Sequence, residues 1–273
     1  MKFGSKLKLA VLVFLPVGDL ALAQVPRTAP RPQIMQGAGS IPSAANSQEA
    51  REWGRRLHKT DENLREGDWN RARRETGRLI SEMLIAIEAD GEAAGTVGLT
   101  LTFRALAEAG AGDVAAGSWD WLAAQSLQPD LNEVSLDPYG AAGKSLEPFR
   151  RHDDGTLSLA AVRSIGAPEP AVGGDVSPPR KISGDPPRYP KALRATCGRG
   201  TARIAVTVDA AGRPAHPRWL DASGGPLMAL ALFEAVRGWR YEPALRGGRA
   251  VPVDVKIEHP FDPGKCRPRT EKP

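Results

Sequence analysis

The chain has 273 residues with 29 Gly, 24 Pro, two Cys and only 5% aromatic residues, which bounds it to one or two domains. Its net charge of +5 is uneven: residues 184–273 hold 16 Lys and Arg against 9 Asp and Glu, whereas residues 1–183 hold 21 against 23. A basic C-terminal part attracts nucleic acid, acidic glycans or anionic lipid, and the N-terminus argues against nucleic acid. Lys2, Lys6 and Lys8 precede an apolar run from Leu9 to Val17; Gly18-Asp19 breaks it, and Ala21-Leu22-Ala23 leads to Gln24. That is the pattern of a secretory signal over residues 1–23, cleaved before Gln24. The alternative is a retained inner-membrane anchor facing the periplasm. Leu9 to Val17 gives about 14 Å of helix against roughly 30 Å of hydrocarbon. Extending the span to Ala23 carries Asp19 into the bilayer, at a substantial cost. The sequence predicts export to the periplasm.

Residues 24–46 are rich in Pro, Ala, Ser and Gly and read as a disordered lead. A helical domain is expected over 47–165, with Ser47 as its first cap. Trp53, Leu57 and Leu64 recur on one face, Glu66-Gly67-Asp68-Trp69 turns, and Ala72, Leu79, Ile80, Met83, Leu84 and Ile87 continue to Asp90-Gly91. A second pair covers 97–109 and 114–127 and stops at Pro129. Gly117, Trp121, Ala124 and Pro129 follow Gly112-Asp113 as the small, aromatic, Ala and Pro positions of a tetratricopeptide hairpin would. After Gly67-Asp68 only Ala72 and Leu79 fit that frame. The two Gly-Asp turns are 45 residues apart, against about 34 in a regular array. The region therefore resembles a degenerate tetratricopeptide-like pair, or is a plain four-helix assembly. Packing or protein contact is the implied role of either. Asp137-Pro138-Tyr139-Gly140 is a turn and Arg150 to Gly155 a charged loop; residues 130–165 otherwise complete the helical domain. Pro168, Pro170, Pro178, Pro179 and Pro186 mark 166–186 as a linker.

The C-terminal domain is expected over 187–268, with 269–273 as a tail. Ala202, Ile204, Val206 and Val208 alternate with polar neighbours as a half-buried strand. Asp209 to Gly212 supplies a tight turn. A weaker strand runs through Trp219 and Leu220, interrupted by Pro214 and Pro217, as suits an edge or a bulge. Ser223 is expected to cap a helix whose stripe is Leu227, Leu230, Phe233 and Val236. Trp239 would end that stripe against the sheet, with Arg240 exposed. A last strand alternates Val251, Val253, Val255 and Ile257 with Pro252, Asp254, Lys256 and Glu258. No HExxH, GxSxG, P-loop or CxxC motif is present. His58, His152, His216 and His259 lack metal-ligand spacing, although His216 and His259 could approach within the sheet. Asp153-Asp154 reads as a pair of solvated turn residues. The sequence predicts no enzyme, no cofactor and no metal site.

Tyr189-Pro190 with Ala192, Gly200, the Val-x-Val-Asp before Gly212, Ser223-Gly224, Ala235-Val236-Arg237, Trp239-Arg240-Tyr241-x-Pro243-Ala244, Gly248 and the strand closing at Phe261 stand in order. This set resembles the TonB C-terminal domain family. The resemblance implies an α+β domain with a three-stranded antiparallel sheet packed on helices, following the helical domain and the Pro-rich linker. It also implies a non-enzymatic partner-binding role in TonB-type transmembrane transport. In that family the domain takes a short extended segment of an outer-membrane transporter as an added strand beside its own last strand. Here that edge is Val251, Val253, Asp254, Val255, Lys256, Ile257 and Glu258, whose polar face would oppose self-pairing. The family's full transducers use an inner-membrane helix and a long Pro-rich spacer. This chain's pattern gives a cleaved leader and a spacer of about 20 residues, so it reads as a periplasmic TonB-like protein binding a transporter or another envelope protein. The second reading is a structural envelope protein whose basic domain binds peptidoglycan or anionic lipid. If the first and last strands are antiparallel neighbours, as the resemblance implies, Cys197 and Cys266 are brought together as a disulfide, which two Cys in an exported chain favour.

Overall fold

The computed structural model describes residues 48–86, 91–152, 156–165 and 175–266. The expected signal peptide, disordered lead, Ser47 cap, Ile87, Asp153-Asp154 pair, first part of the linker and tail lie outside these residues.

Helices α1 (Gln48–Glu66) and α2 (Trp69–Ala86) make one hairpin, and α3 (Gly91–Gly110) and α4 (Val114–Leu127) a second. Both Gly-Asp turns work alike. Gly67 and Gly112 take positive φ; Asp68 and Asp113 then accept from the backbone N–H groups of Arg71 and Ala116, satisfying donors that a helix start leaves unpaired. Trp53, Leu57, Leu64, Ala72, Leu79, Ile80 and Met83 are all buried, as their helical spacing predicts. At Gly117 a Cβ would lie 2.7 Å from the Ala105 carbonyl oxygen, so the close crossing of α3 and α4 needs a residue without one. Residues 129–149 hold three 3-10 turns (Pro129–Glu133, Asp137–Tyr139, Glu147–Phe149) and α5 (Gly140–Leu146); α6 (Leu159–Ile165) follows. Tyr139 ties this segment to α1, its hydroxyl donating to Asp61 at 2.5 Å.

The second half of the expected linker is ordered. Strands β1 (Val176–Ser177) and β2 (Arg180–Ser183) flank Pro178-Pro179 and pair with β6 (Ala244–Arg246) and β5 (Arg240–Glu242). The prolines lack the N–H a ladder needs, but the short runs on either side have it. The main sheet is antiparallel in the order β4-β3-β8, built from β3 (Gly200–Val208), β4 (Pro214–Ala222) and β8 (Val253–Phe261). Strands β3 and β8 pair without a break from Gly200↔Phe261 to Val208↔Val253. The ladder between β3 and β4 slips twice, once at His216-Pro217, as a proline there predicts, and once at Leu220, while Pro214 stays in register opposite Val208. Ala202, Ile204, Val206 and Val208 are all buried.

Two expectations are corrected. Val251 is not on the last strand: it ends β7 (Arg249–Val251), which pairs with β6, because Pro252 interrupts the ladder. Ser223 does not cap helix α7 (Pro226–Arg237), whose N-cap is Gly225. Its hydroxyl instead accepts from the Thr201 N–H at 2.8 Å, and Pro226 at the first helical position needs no donor satisfied.

Helix α7 buries Leu227, Met228, Ala229, Leu230, Ala231, Leu232, Phe233 and Val236, apolar surface on far more than one face. A helix apolar nearly all round must be covered on two sides. The sheet strands β3 and β4 contact it, and so do α3 and α4, so one core runs through the helical half and the sheet. The seam carries buried charges. Arg104 on α3 donates to Asp120 on α4 through two bonds of 2.6 Å and to Glu234 on α7 at 2.5 Å. Arg237 on α7 donates to Glu108 on α3 at 2.5 Å and to Asp120 at 3.2 Å.

Two guanidiniums thus face three carboxylates, and Glu108 bears the excess. Burial pushes its carboxyl up to about 7, Asp120 adding to the effect and Arg237 and Arg104 opposing it. Against the cost of its own burial, Asp120 is held below the usual carboxylate range by Arg104 and Arg237.

Val253 is fully buried and Lys256 is exposed. Val253→Asp is expected to abolish folding by burying an unpaired charge, while Lys256→Asp melts like the parent; circular dichroism melts compare them. Equal tolerance would mean a one-residue slip, which exchanges the faces.

A carboxyl raised on folding makes the folded chain bind more protons between its two pKa values. The Glu108 contribution is therefore complete at the ordinary value of 4.5 and below, and is lost as pH rises to about 7. Denaturant unfolding of the parent and Glu108→Gln across that window should show the parent losing stability relative to the variant as pH rises. Asp120→Ala, which removes the buried carboxylate shared by Arg104 and Arg237 and leaves Arg104 with Glu234 alone, is expected to cost about 3 kcal/mol.

Candidate functional site

The sheet has two edges, and the chain treats them differently. Along β4 the helical half supplies partners: the Trp219 N–H donates to Ser126 Oγ of α4 at 3.1 Å, and Arg151 donates to the Pro217 carbonyl at 2.7 Å. Along β8 the backbone row opposite β3 has no ladder partner among the described residues. This open edge is a nine-residue run.

Asp254, Lys256 and Glu258 are exposed on one face of β8; Val255, Ile257 and His259 are half-buried on the other, between buried Val253 and Phe261. Two of the three charges are already engaged. Thr207 donates to Asp254 at 2.6 Å. Arg203 donates to Glu258 at 2.7 Å and to Asp221 at 3.1 Å, and its hydrogen bond holds the Glu258 carboxyl below its ordinary value. Lys256 has no carboxylate within salt-bridge distance among the described residues.

The remaining expected site residues hold the domain together rather than lining this edge. Tyr189 donates its hydroxyl to the Gly198 carbonyl at 2.7 Å, and buried Pro190 starts the 3-10 turn Lys191–Arg194. Gly200 passes against Gly224, whose backbone N would lie 2.5 Å from a Cβ there. Gly212 has φ 73°, and its carbonyl accepts from the Tyr241 N–H at 2.8 Å. Trp239 is buried and donates to the Asp185 carbonyl at 2.7 Å, with the Lys181 ammonium 3.6 Å from its ring centroid. Burial pushes the Tyr241 hydroxyl up to about 12. Arg240 is exposed and Pro243 joins β5 to β6.

His216 and His259 do not meet. His259 pairs with Ala202 near one end of β3, while His216 follows Ala215, the partner of Thr207 near the other end. Burial, with Arg151 adding, pushes His216 down to about 4. No group of three or more His, Cys, Asp or Glu that could hold a metal occurs among the described residues.

Sequence reading missed the five charges around α7. Their signal was present: Arg104 and Glu108 stand four apart in an apolar helix, Asp120 lies between two Trp, and Glu234 and Arg237 interrupt an otherwise apolar segment. Charges in such settings need partners.

Cys197 and Cys266 form a disulfide, with Cα atoms 5.7 Å apart and a sequence separation of 69. It fastens the end of β8 beside the start of β3.

The small antiparallel sheet packed on α7 thus has one edge contacted by the helical half and the other open. Residues 185–263 match the family described as Gram-negative bacterial TonB protein C-terminal, and this part of the chain is a TonB C-terminal domain. The solution NMR structure of the Pseudomonas aeruginosa TonB CTD is similar at 24% identity and a TM-score of 0.30, over 35% of this chain and 93% of that one. No curated protein matches the chain. The domain marks a TonB-like, transport-related protein of an envelope-associated family. No helix among the described residues is long and apolar enough to cross a membrane.

Reducing the disulfide is expected to lower stability by about 4 kcal/mol on the chain-entropy estimate for a loop of this length. Thermal melts with and without reductant measure it. Amide exchange should quicken first at His259 and Phe261, at the end of β8 nearer Cys266.

Proposed function

We propose that this chain is a non-enzymatic periplasmic TonB-like protein. It takes an extended segment of an outer-membrane transporter, or of another envelope protein, as an added strand beside β8. The observation that carries the reading is the inequality of the two edges: β4 is covered by side chains of the helical half, and β8 offers its backbone row. Strand addition supplies affinity through main-chain hydrogen bonds and specificity through alternate side chains. Val255 and Ile257 would meet apolar side chains of the added strand, and Asp254, Lys256 and Glu258 its polar ones. The helical half would recruit or position a second protein.

Amide hydrogen exchange of the full chain with a synthetic extended segment tests this. Protection is expected along 253–261, and not along 214–222, and should survive about 1 M salt, where the screening length is roughly 3 Å. Protection lost at that salt would instead favour charge-driven binding to peptidoglycan or anionic lipid through the basic C-terminal domain. Protection along β4 alone would refute the edge assignment.

A further inference from the structure

Away from the sheet, α1 and α2 flank an open cleft of about 570 Å³ lined by Arg56, Lys59, Arg71, Arg74 and Arg78, with Asn63 and Thr60 and the carboxylates of Asp68 and Glu75 among them. Positions 56, 59 and 63 repeat at helical spacing, as do 71, 74 and 78, so each set forms one stripe. Like charges at such spacing destabilise a helix, and fold stability gives no reason to stack three arginines on α2.

Local carboxylates account for only part of this charge. Arg56 is engaged by Glu75 at 2.6 Å and by Glu82, and Lys59 by Glu62 at 2.7 Å. The carboxylate nearest Arg78 is Glu75, at 3.9 Å. Asp68, also in the lining, is used as the cap of α2, accepting from the Arg71 backbone N–H. The guanidiniums of Arg71 and Arg74 have no carboxylate within 4 Å among the described residues.

Asn63 adds a neutral polar group to this lining: it is 3% exposed, and its carboxamide can both donate to and accept from a ligand. Its neighbour Thr60 donates to the Arg56 carbonyl at 2.8 Å.

We propose that the α1–α2 cleft binds a phosphorylated ligand. Its phosphate oxygens accept from the guanidiniums of Arg71 and Arg74 and from the Asn63 carboxamide, with Arg78 adding charge. The arginine fork matches the geometry of phosphate oxygens. A phosphate monoester brings about −1.5 to −2 charges, against one from a carboxylate, and so answers several guanidiniums at once. The cleft falls within the roughly 300–1,000 Å³ usual for ligand sites and holds a body of glycerol or sugar size beyond the phosphate. This site lies on the helical half and is independent of strand addition at β8.

The test titrates the full chain with pyrophosphate and with glycerol 3-phosphate by calorimetry. In parallel, the chain is co-sedimented with vesicles of phosphatidylglycerol or of phosphatidylcholine. Saturable binding of the soluble phosphates assigns a free ligand; binding to phosphatidylglycerol vesicles alone assigns a lipid headgroup. In either case Arg71→Glu with Arg74→Glu should weaken binding about tenfold or more, with an unchanged circular dichroism melt. Asn63→Ala should also weaken it, with a melt close to the parent's. Absence of saturable binding to every probe, or equal binding by the charge-reversed variant, overturns the proposal. So does tighter binding of an oligoglutamate peptide than of pyrophosphate, which would make the cleft a peptide site.

Discussion

The structure depends on covering α7 from two sides. Its sequence from Pro226 to Arg237 is apolar around most of its circumference, so a three-stranded sheet alone leaves a greasy face in water. Helices α3 and α4 supply the missing cover, and one continuous core results. The charges within that seam act as its key. Arg104, Glu108, Asp120, Glu234 and Arg237 come from three helices, and their hydrogen bonds close only when those helices are in register. Such a network adds little stability over a well-packed apolar seam, but removing one member strands another in a low-dielectric interior.

The same packing decides which edge of the sheet is open. Because α4 lies against β4, Ser126 and Arg151 reach the outward backbone groups of that strand. The other edge strand, β8, is held by its unbroken ladder to β3 and fastened at its end by Cys266. The exposed face of alternating charge discourages pairing with a second copy.

The family motif sits elsewhere. Tyr189, Gly200, Gly212, Trp239 and Tyr241 brace turns and crossings, and the strand-pairing run itself carries little signature beyond alternation. This follows from chemistry. A turn with positive φ or a close backbone crossing restricts residue type sharply, whereas main-chain hydrogen bonding along an edge accepts nearly any side chain. Gly212 against Tyr241 shows the first case, and Val255-Lys256-Ile257 the second.

Local order was legible because it obeys short-range rules. The two Gly-Asp turns, the buried faces of α1 and α2, the alternation of β3 and β8, and the slip of β4 at Pro217 follow from residue type and period alone. What failed locally failed for a reason of contact: Ser223 had a strand amide to satisfy rather than a helix end, and Val176-Ser177 and Arg180–Ser183 found partners more than 55 residues away in β6 and β5. The sequence by itself determined the elements, their exposed and buried faces, and the family of the last third of the chain. Only the tertiary structure decided that the helical half and the sheet share α7, that burial raises the Glu108 carboxyl, that the helical half contacts one sheet edge, and that arginines from two helices line one cleft. Those outcomes depend on which surfaces meet across the chain, and periodicity fixes the face a residue occupies but not the partner that face will find.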